Sequence, residues 1–497
     1  MKYRSTRGNI KETLNSAQAV IKGLAPDGGL FVPVNFPTPS LPLTDLSSLS
    51  YQETAKMVLS WFFDDFTTDE LDDVVTGAYG PQWDDSAIAP LSAKHSGNYY
   101  LELFHGPTLA FKDVALQVLP RLMTKSLALE QISNDIIILT ATSGDTGTAS
   151  MRGFSDKEKT QVIVFYPYGG VSPVQLKQML GQRGHNLTAI AIKGNFDDAQ
   201  TQVKQIFNDQ QFNRQLAANG FQFSSANSMN IGRLIPQIVY YLHSYGQLVK
   251  RGTIKVGDAV NFTVPTGNFG DILAGYYAKK LGLPINKLIC ASDENNVLTD
   301  FFKTGTYNRK RHFYLTNSPA MDILVSSNLE RLIFDCYQED DKAVSELMAA
   351  LDHDGSYQVT AEVKAQLDQQ FAAGFASQDD VIAEIKRVYD NDSYVIDPHT
   401  AVASFVTKQY QAKSDDHTPT IIVSTASPYK FPETVLTALT GKEPAVGGLD
   451  AIKALQQELA TDLSPNVQVL FDQTPRDEQV ILPGEMEKLI ATVLKLK

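Results

Sequence analysis

Ile136-Ile137-Ile138-Leu139 is a run with no polar side left on it. A strand with one face in water alternates apolar and polar residues, whereas a continuous apolar run demands cover on both faces. Similar short runs recur between residues 97 and 300, predicting strands at 99–104, 135–140, 161–166, 187–192, 259–264 and 287–291. Helical patterns separate them, predicting helices at 112–128, 173–182, 197–208 and 231–250. Strands alternating with helices specify an α/β architecture built on doubly wound parallel sheet.

A chain of 497 residues is too long for one simple core, so two or three lobes are expected. Residues 1–98 read as an N-terminal subregion. It has a helix over 12–22 that stops at Gly23, a turn at Asp27-Gly28-Gly29 and an amphipathic stretch at 52–63. Residues 99–250 read as a smaller α/β lobe and 251–440 as a larger one. The larger lobe carries a charged, mostly helical insertion at about 319–392, broken at Asp340-Asp341-Lys342 and Ala372-Ala373-Gly374. The strand–helix pattern resumes at 398–409 and 420–423. Residues 441–497 read as a C-terminal extension with helices at 450–460 and 485–496.

A net charge of −13 argues against a nucleic-acid partner, whose binders concentrate positive charge. Arg309-Lys310-Arg311 reads as a solvated loop. Cys290 and Cys336 lie in apolar surroundings and resemble packed core thiols, too few for a disulfide framework or a zinc ribbon. No metal site is expected. The residues after Met1 form no apolar signal segment, and no stretch reaches membrane-span length, so a cytoplasmic protein without a membrane partner is expected.

Lys112 stands between Phe111 and the run Val114-Ala115-Leu116. Two readings fit it. It snorkels off an apolar helix face, or it is a desolvated amine ready to form a Schiff base with a carbonyl. Three loops follow predicted strands: Thr140–Thr148, Val264–Asp271 and Ser424–Lys430. In an open parallel sheet that is the ligand-binding edge. Ser143, Gly144, Asp145 and Thr146 offer small donors at a helix start, and Gly267 and Gly270 flank Asn268-Phe269 in a nest suited to phosphate. An ordinary βα turn has the same composition. Ser228, Asn230 and Arg233 form a fourth group, read either as anion binders or as a cap with a surface arginine. Arg233 falls in the first turn of the predicted 231–250 helix, where a cation opposes the dipole unless an anion is present. Neither a GxGxxG nor a Walker A pattern occurs, which weakens dehydrogenase and nucleotide readings.

The block Leu101–Asp113, with Phe104-His105-Gly106-Pro107-Thr108-Leu109-Ala110-Phe111-Lys112-Asp113 at its centre, resembles threonine synthase. So do Thr140–Gly147, Ser225-Ala226-Asn227-Ser228, Gly267-Asn268-Phe269-Gly270-Asp271 and the opening Tyr3–Gly8 with Gly23–Phe31. The resemblance runs to about residue 440. It implies a fold-type II pyridoxal-phosphate enzyme, with two doubly wound lobes and the active site between them. Lys112 would carry pyridoxal 5'-phosphate as a Schiff base. Gly267, Asn268, Phe269, Gly270 and Asp271 would cradle its phosphate, and Thr425 would meet its pyridine nitrogen. Ser143, Gly144, Asp145 and Thr146 would bind the substrate carboxylate, and Ser228, Asn230 and Arg233 the substrate phosphate. The family usually has histidine where this chain has Ser427. The implied substrate is O-phospho-L-homoserine and the implied assembly a monomer or homodimer. A deaminase, a β-replacement enzyme and a non-catalytic binder of phosphorylated ligands are the alternatives.

Overall fold

The computed structural model of the chain describes residues 1–9, 12–95, 97–142 and 144–496, apart from the side chains of Lys94, Phe196 and Asp197. Among the described residues, two mainly parallel sheets carry the architecture. The larger has six strands in the order Phe371–Phe375, Ile285–Ser292, Val260–Pro265, Thr420–Ser424, Asn98–Glu102, Leu91–His95. Only its last pairing is antiparallel. The smaller has five parallel strands, Val480–Ile481, Leu187–Ile192, Thr160–Pro167, Asp135–Ala141 and Phe221–Ser224.

The apolar runs are buried on both sides. Ile136 and Ile138 join the core shared with the N-terminal region, while Ile137 and Leu139 face a second core with Met486 and Ile490. In the larger sheet, Leu288 and Cys290 face the shared core, and Ile289 and Ala291 the opposite one. This is the period of two that a strand imposes. Both cysteines are free and buried, and burial pushes each thiol up to about 12. An antiparallel sheet of Lys2–Ser5, Leu14–Asn15 and Phe31–Pro33 fixes the N-terminus. Its Tyr3 lies in the same core as Phe262 and Val264.

The structure departs from the sequence-based expectations in six places. The first strand ends at Glu102 and pairs with Thr420–Ser424, so the chain enters the larger sheet where a smaller lobe from 99 was expected. The expected 112–128 helix is two, Lys112–Leu116 and Leu119–Leu129, because Pro120 has no N–H to continue the first. Pro236 likewise divides the 231–250 helix into Ile231–Leu234, a short 3-10 turn and Ile238–Lys250. The break at Ala372-Ala373-Gly374 is a strand paired with Ile285–Ser292, so the insertion is not only helical. Small residues suit it: a Cβ on Gly374 would lie 2.9 Å from Val406. The C-terminal extension adds a strand to the smaller sheet and packs Met486–Val493 on its far core. Arg311 hydrogen-bonds Asn296 and Asp300, so only Lys310 of the basic run is a freely exposed side chain.

One close approach positions Lys112. A Cβ on Gly153 of the Asp145–Phe154 helix would lie 2.0 Å from the Leu116 carbonyl oxygen. That helix therefore lies directly on Lys112–Leu116, with Asp145 and Lys112 at their neighbouring N-terminal ends. Gly153→Ala is expected to lose about 1–3 kcal/mol of stability through overpacking, read as a lower denaturant midpoint. An unchanged midpoint would mean that this contact relaxes without cost.

Candidate active site

The loops at the carboxyl ends of the strands converge on one cavity. It encloses about 1120 Å³ of empty space, open solvent at its mouth included. Lys112, Asp145, Thr146, Ser228, Arg233, Thr425 and the whole run Gly267–Asp271 are on its wall.

Lys112 is brought there by the loop before it, which runs along the end of the Thr420–Ser424 strand. Leu103 N–H donates to Ser424 O (2.9 Å), Phe111 N–H to Thr425 O (2.8 Å) and Ser427 N–H to Leu109 O (3.0 Å). Leu109 is buried in a left-handed conformation (φ 63°), a strain the surrounding bonds must hold. Asp113 closes the loop by accepting both the N–H and the hydroxyl of Thr108, each at 2.8 Å. The Lys112 side chain is only 11 % exposed. Burial pulls its amine down, Asp145 partly opposes this, Arg233 and Lys430 add to it, and the result is about 8. The desolvated reading of Lys112 is the one the fold supports.

Asp145 lies 3.8 Å from Lys112 Nζ and 2.9 Å from Lys430 Nζ. Burial pushes its carboxyl up, but Lys430 and Lys112 outweigh burial and hold it well below the usual carboxylate range. Arg233 is buried and donates to Ala226 O at 2.9 Å. It has no ion-pair partner within 4 Å among the described residues. Burial draws its guanidinium down to about 10, which leaves it charged. Its helix is a single turn, so the dipole argument for an anion there does not apply. The unpaired buried charge replaces it.

Across the cavity, Phe269 takes the left-handed conformation (φ 62°) at the start of the Gly270–Lys280 helix. Its ring stacks against Phe302 and meets Phe371, so a large residue occupies a position that usually suits glycine. A Cβ would lie 3.1 Å from Ala320 O at Gly267 and 3.2 Å from Ser228 Cβ at Gly270. The insertion fastens this loop. Asn328 Nδ2 donates to Asn268 O and Ser228 Oγ, both at 2.9 Å, and Ser326 Oγ donates to Gly267 O at 2.8 Å. Asp271 accepts from Tyr240 and Tyr241 on one oxygen. Burial raises it to about 6 against those two bonds. The Thr425 hydroxyl is on the wall with no hydrogen-bond partner among the described residues.

Two expected residues stand behind the wall. Asn230 is fully buried, with its amide spent on Val20 O and Ser225 O and its oxygen on Gly232 N–H. Gly144 (φ 135°) donates to Thr142 Oγ1, and a Cβ there would strike Gln175. Ser143 lies outside the described residues.

Sequence reasoning missed Lys430 and His399. His399 is on the wall; its Nδ1–H donates to Asp397 (2.6 Å) and its Nε2 accepts Ala320 N–H (3.2 Å). Its local signal, Asp397-Pro398-His399-Thr400, reads only as a helix start. Ser427, the departure from the resembled pattern, accepts Tyr429 N–H and starts the turn that carries Lys430.

Two family models match parts of the chain. Models described as "Threonine synthase N terminus" and "Threonine synthase, C-terminal" match residues 2–79 and 400–479. Threonine synthase of Schizosaccharomyces pombe is 39% identical over 88% of this chain and 89% of its own length. The chain belongs to the threonine synthase family. The C-terminal match passes residue 440, so threonine synthase similarity reaches into the extension where no resemblance was expected. A solved structure of PLP-bound threonine synthase from Brucella melitensis matches with a TM-score of 0.87 and 36% identity, covering 100% of both chains. The two parallel-sheet lobes with the cavity between them are thus the fold-type II architecture of the threonine synthases. The chain spans 66% of the length of a threonine synthase-like 1 protein of Pongo abelii, with 39% identity.

Proposed function

We propose that the chain is a threonine synthase, a pyridoxal-phosphate-dependent lyase that converts O-phospho-L-homoserine and water into L-threonine and phosphate. The observation that carries this reading is Arg233, buried on the same cavity as Lys112 without a carboxylate partner among the described residues. A buried charge without a partner is costly unless a ligand supplies one.

The residues fit the cofactor. Gly267 and Gly270 leave a cradle that side chains would fill, and the Thr425 hydroxyl, without a hydrogen-bond partner among the described residues, is on the wall where a ring nitrogen would meet it. Lys112 would hold the cofactor covalently through Nζ, with Gly267–Asp271 around its phosphate. When bound, it supplies an electron sink at the substrate's α-carbon. The chain's own groups do the rest. Lys112, displaced from its covalent link, is an amine that can take the α-proton and carry protons to neighbouring carbons. The Asp145–Thr146 loop orients the substrate carboxylate. Arg233 and Ser228 face the phosphate that departs from the γ-carbon, where charge grows as the C–O bond breaks. Water supplies the hydroxyl at the β-carbon. With this function we propose a cytoplasmic enzyme, monomeric or homodimeric, with no nucleic-acid or membrane partner. Among the described residues no helix is long and apolar enough to cross a membrane.

Phosphate release from O-phosphohomoserine, with threonine identified as the product, tests the reading. Binding without turnover would favour the non-catalytic alternative. Arg233→Ala is expected to lose roughly 1.5–3 kcal/mol of transition-state stabilisation, a drop of about 10- to 150-fold in kcat/KM. Its cofactor spectrum should stay the same. A folded variant with wild-type kinetics removes Arg233 from the substrate's site.

A further inference from the structure

Asp145 presents a problem of charge. It belongs to the loop proposed to face the substrate's carboxylate, yet it is itself a buried carboxylate. Lys430 resolves it from the other end of the chain. This lysine is fully buried, and its Nζ forms an ion pair with Asp145 Oδ1 at 2.9 Å and donates to Thr108 O at 2.7 Å. Gln175 Nε2 donates to the same Oδ1 at 2.8 Å. Oδ1 is thereby occupied, and Oδ2 is turned toward Lys112 at 3.8 Å. The turn that aims Lys430 is set by Ser427, whose carbonyl accepts Lys430 N–H at 3.0 Å and whose N–H donates to Leu109 O at 3.0 Å.

The geometry points to Lys430 as a positioning residue for the Schiff-base lysine: it cancels the charge of Asp145 and turns that carboxylate, so that Lys112 meets a neutralised pair instead of a bare anion. Without Lys430, Asp145 would pair with Lys112 outright and hold its amine protonated, which is the non-nucleophilic form. The charged groups facing Lys112 are Asp145, Lys430 and Arg233, with the titratable Asp271 and His399 further along the wall. Arg233 acts in the same sense as Lys430 but touches neither oxygen of Asp145. Lys430 also binds Thr108, in the loop that delivers Lys112, so one ammonium ties together both segments flanking the reactive amine.

The inference rests on the proposed function, but its test needs neither turnover nor substrate. Full-length chain freed of cofactor is labelled by reductive methylation across a pH series, and the Lys112 peptide is followed by mass spectrometry. The wild-type midpoint is expected near pH 8, as the amine is held at about 8. Lys430→Met should move the midpoint up by about one pH unit or more, slowing labelling at pH 7 roughly tenfold. Lys430→Arg should stay near wild type. The double variant Lys430→Met/Asp145→Asn should return the midpoint to the wild-type value, because both members of the pair are gone. An unchanged midpoint in folded Lys430→Met, or no return in the double variant, overturns the inference. If the single variant does not fold, the double variant decides alone: a wild-type midpoint supports the pair and a shift of a unit or more overturns it. Threonine formation is assayed separately, so loss of the proposed activity and loss of this role are distinguishable.

Discussion

Lys112→Ala is expected to abolish threonine formation while leaving the fold intact. Loss of proton transfer alone lowers turnover by about 100- to 10,000-fold, and loss of the covalent hold on the cofactor adds to this. The Lys112 side chain lines the cavity, and its ion-pair partner Asp145 keeps Lys430, so its removal should leave the denaturant midpoint nearly unchanged. In wild type, borohydride should fix a pyridoxyl group on the peptide containing Lys112. A label on another lysine would defeat the assignment of the site. The pH dependence carries a sign. Below about 8 the amine is protonated, so the rate at which cofactor-free protein takes up pyridoxal phosphate should rise about tenfold per pH unit and level off above that value. A rate that goes on rising tenfold per unit well above pH 8 would mean that burial does not hold the amine down as described, and a rate independent of pH between 6 and 8 that the amine is held lower still.

Glutamate at Gly267 or Gly270 is expected to weaken cofactor retention by a factor on the order of 100 or more, since like charges brought together cost several kcal/mol. The cause is steric and electrostatic together. A Cβ at either position lies 3.1–3.2 Å from Ala320 O or Ser228 Cβ, so the first atom is already tight and the carboxylate must enter the cradle. Gly484→Glu serves as the control: an added Cβ there meets nothing within 4 Å and the backbone is not left-handed. Alanine at Gly267 or Gly270 should give a smaller loss, because it adds the crowding without the charge. Dialysis followed by absorbance of the retained cofactor measures all of these. Wild-type retention in folded Gly267→Glu and Gly270→Glu would remove this loop from the cofactor's phosphate.

The elements that carry the fold were legible because they are local. Four successive apolar residues at 136–139 can be satisfied only by cover on both faces, and they are buried on both. The loops at 140–148, 264–271 and 424–430 were legible as a group because parallel strands place their carboxyl ends on one edge. The strand Phe371–Phe375 was not legible. Ala372, Ala373 and Gly374 have weak strand preference, and what makes them a strand is pairing with Leu288–Ser292. Val480–Ile481 is similar: two residues become a strand because Ala191 and Ile192 lie beside them.

Within the site, the sequence by itself determined which chemistry was available. Lys112 in an apolar setting, glycines around Asn268-Phe269, and an arginine at 233 are composition and spacing, and neither depends on distant partners. Only the tertiary structure decided which groups act together. It removed Asn230 and Gly144 from the wall by giving their polar atoms to the backbone and to Thr142. It left Arg233 without a carboxylate partner among the described residues, and it set Lys430 against Asp145 across a separation of 285 residues in sequence. The physical reason is that a buried charge is defined by its partners. Desolvation and Coulomb energy depend on distances of a few ångströms, and those distances are set by packing between segments far apart in the chain.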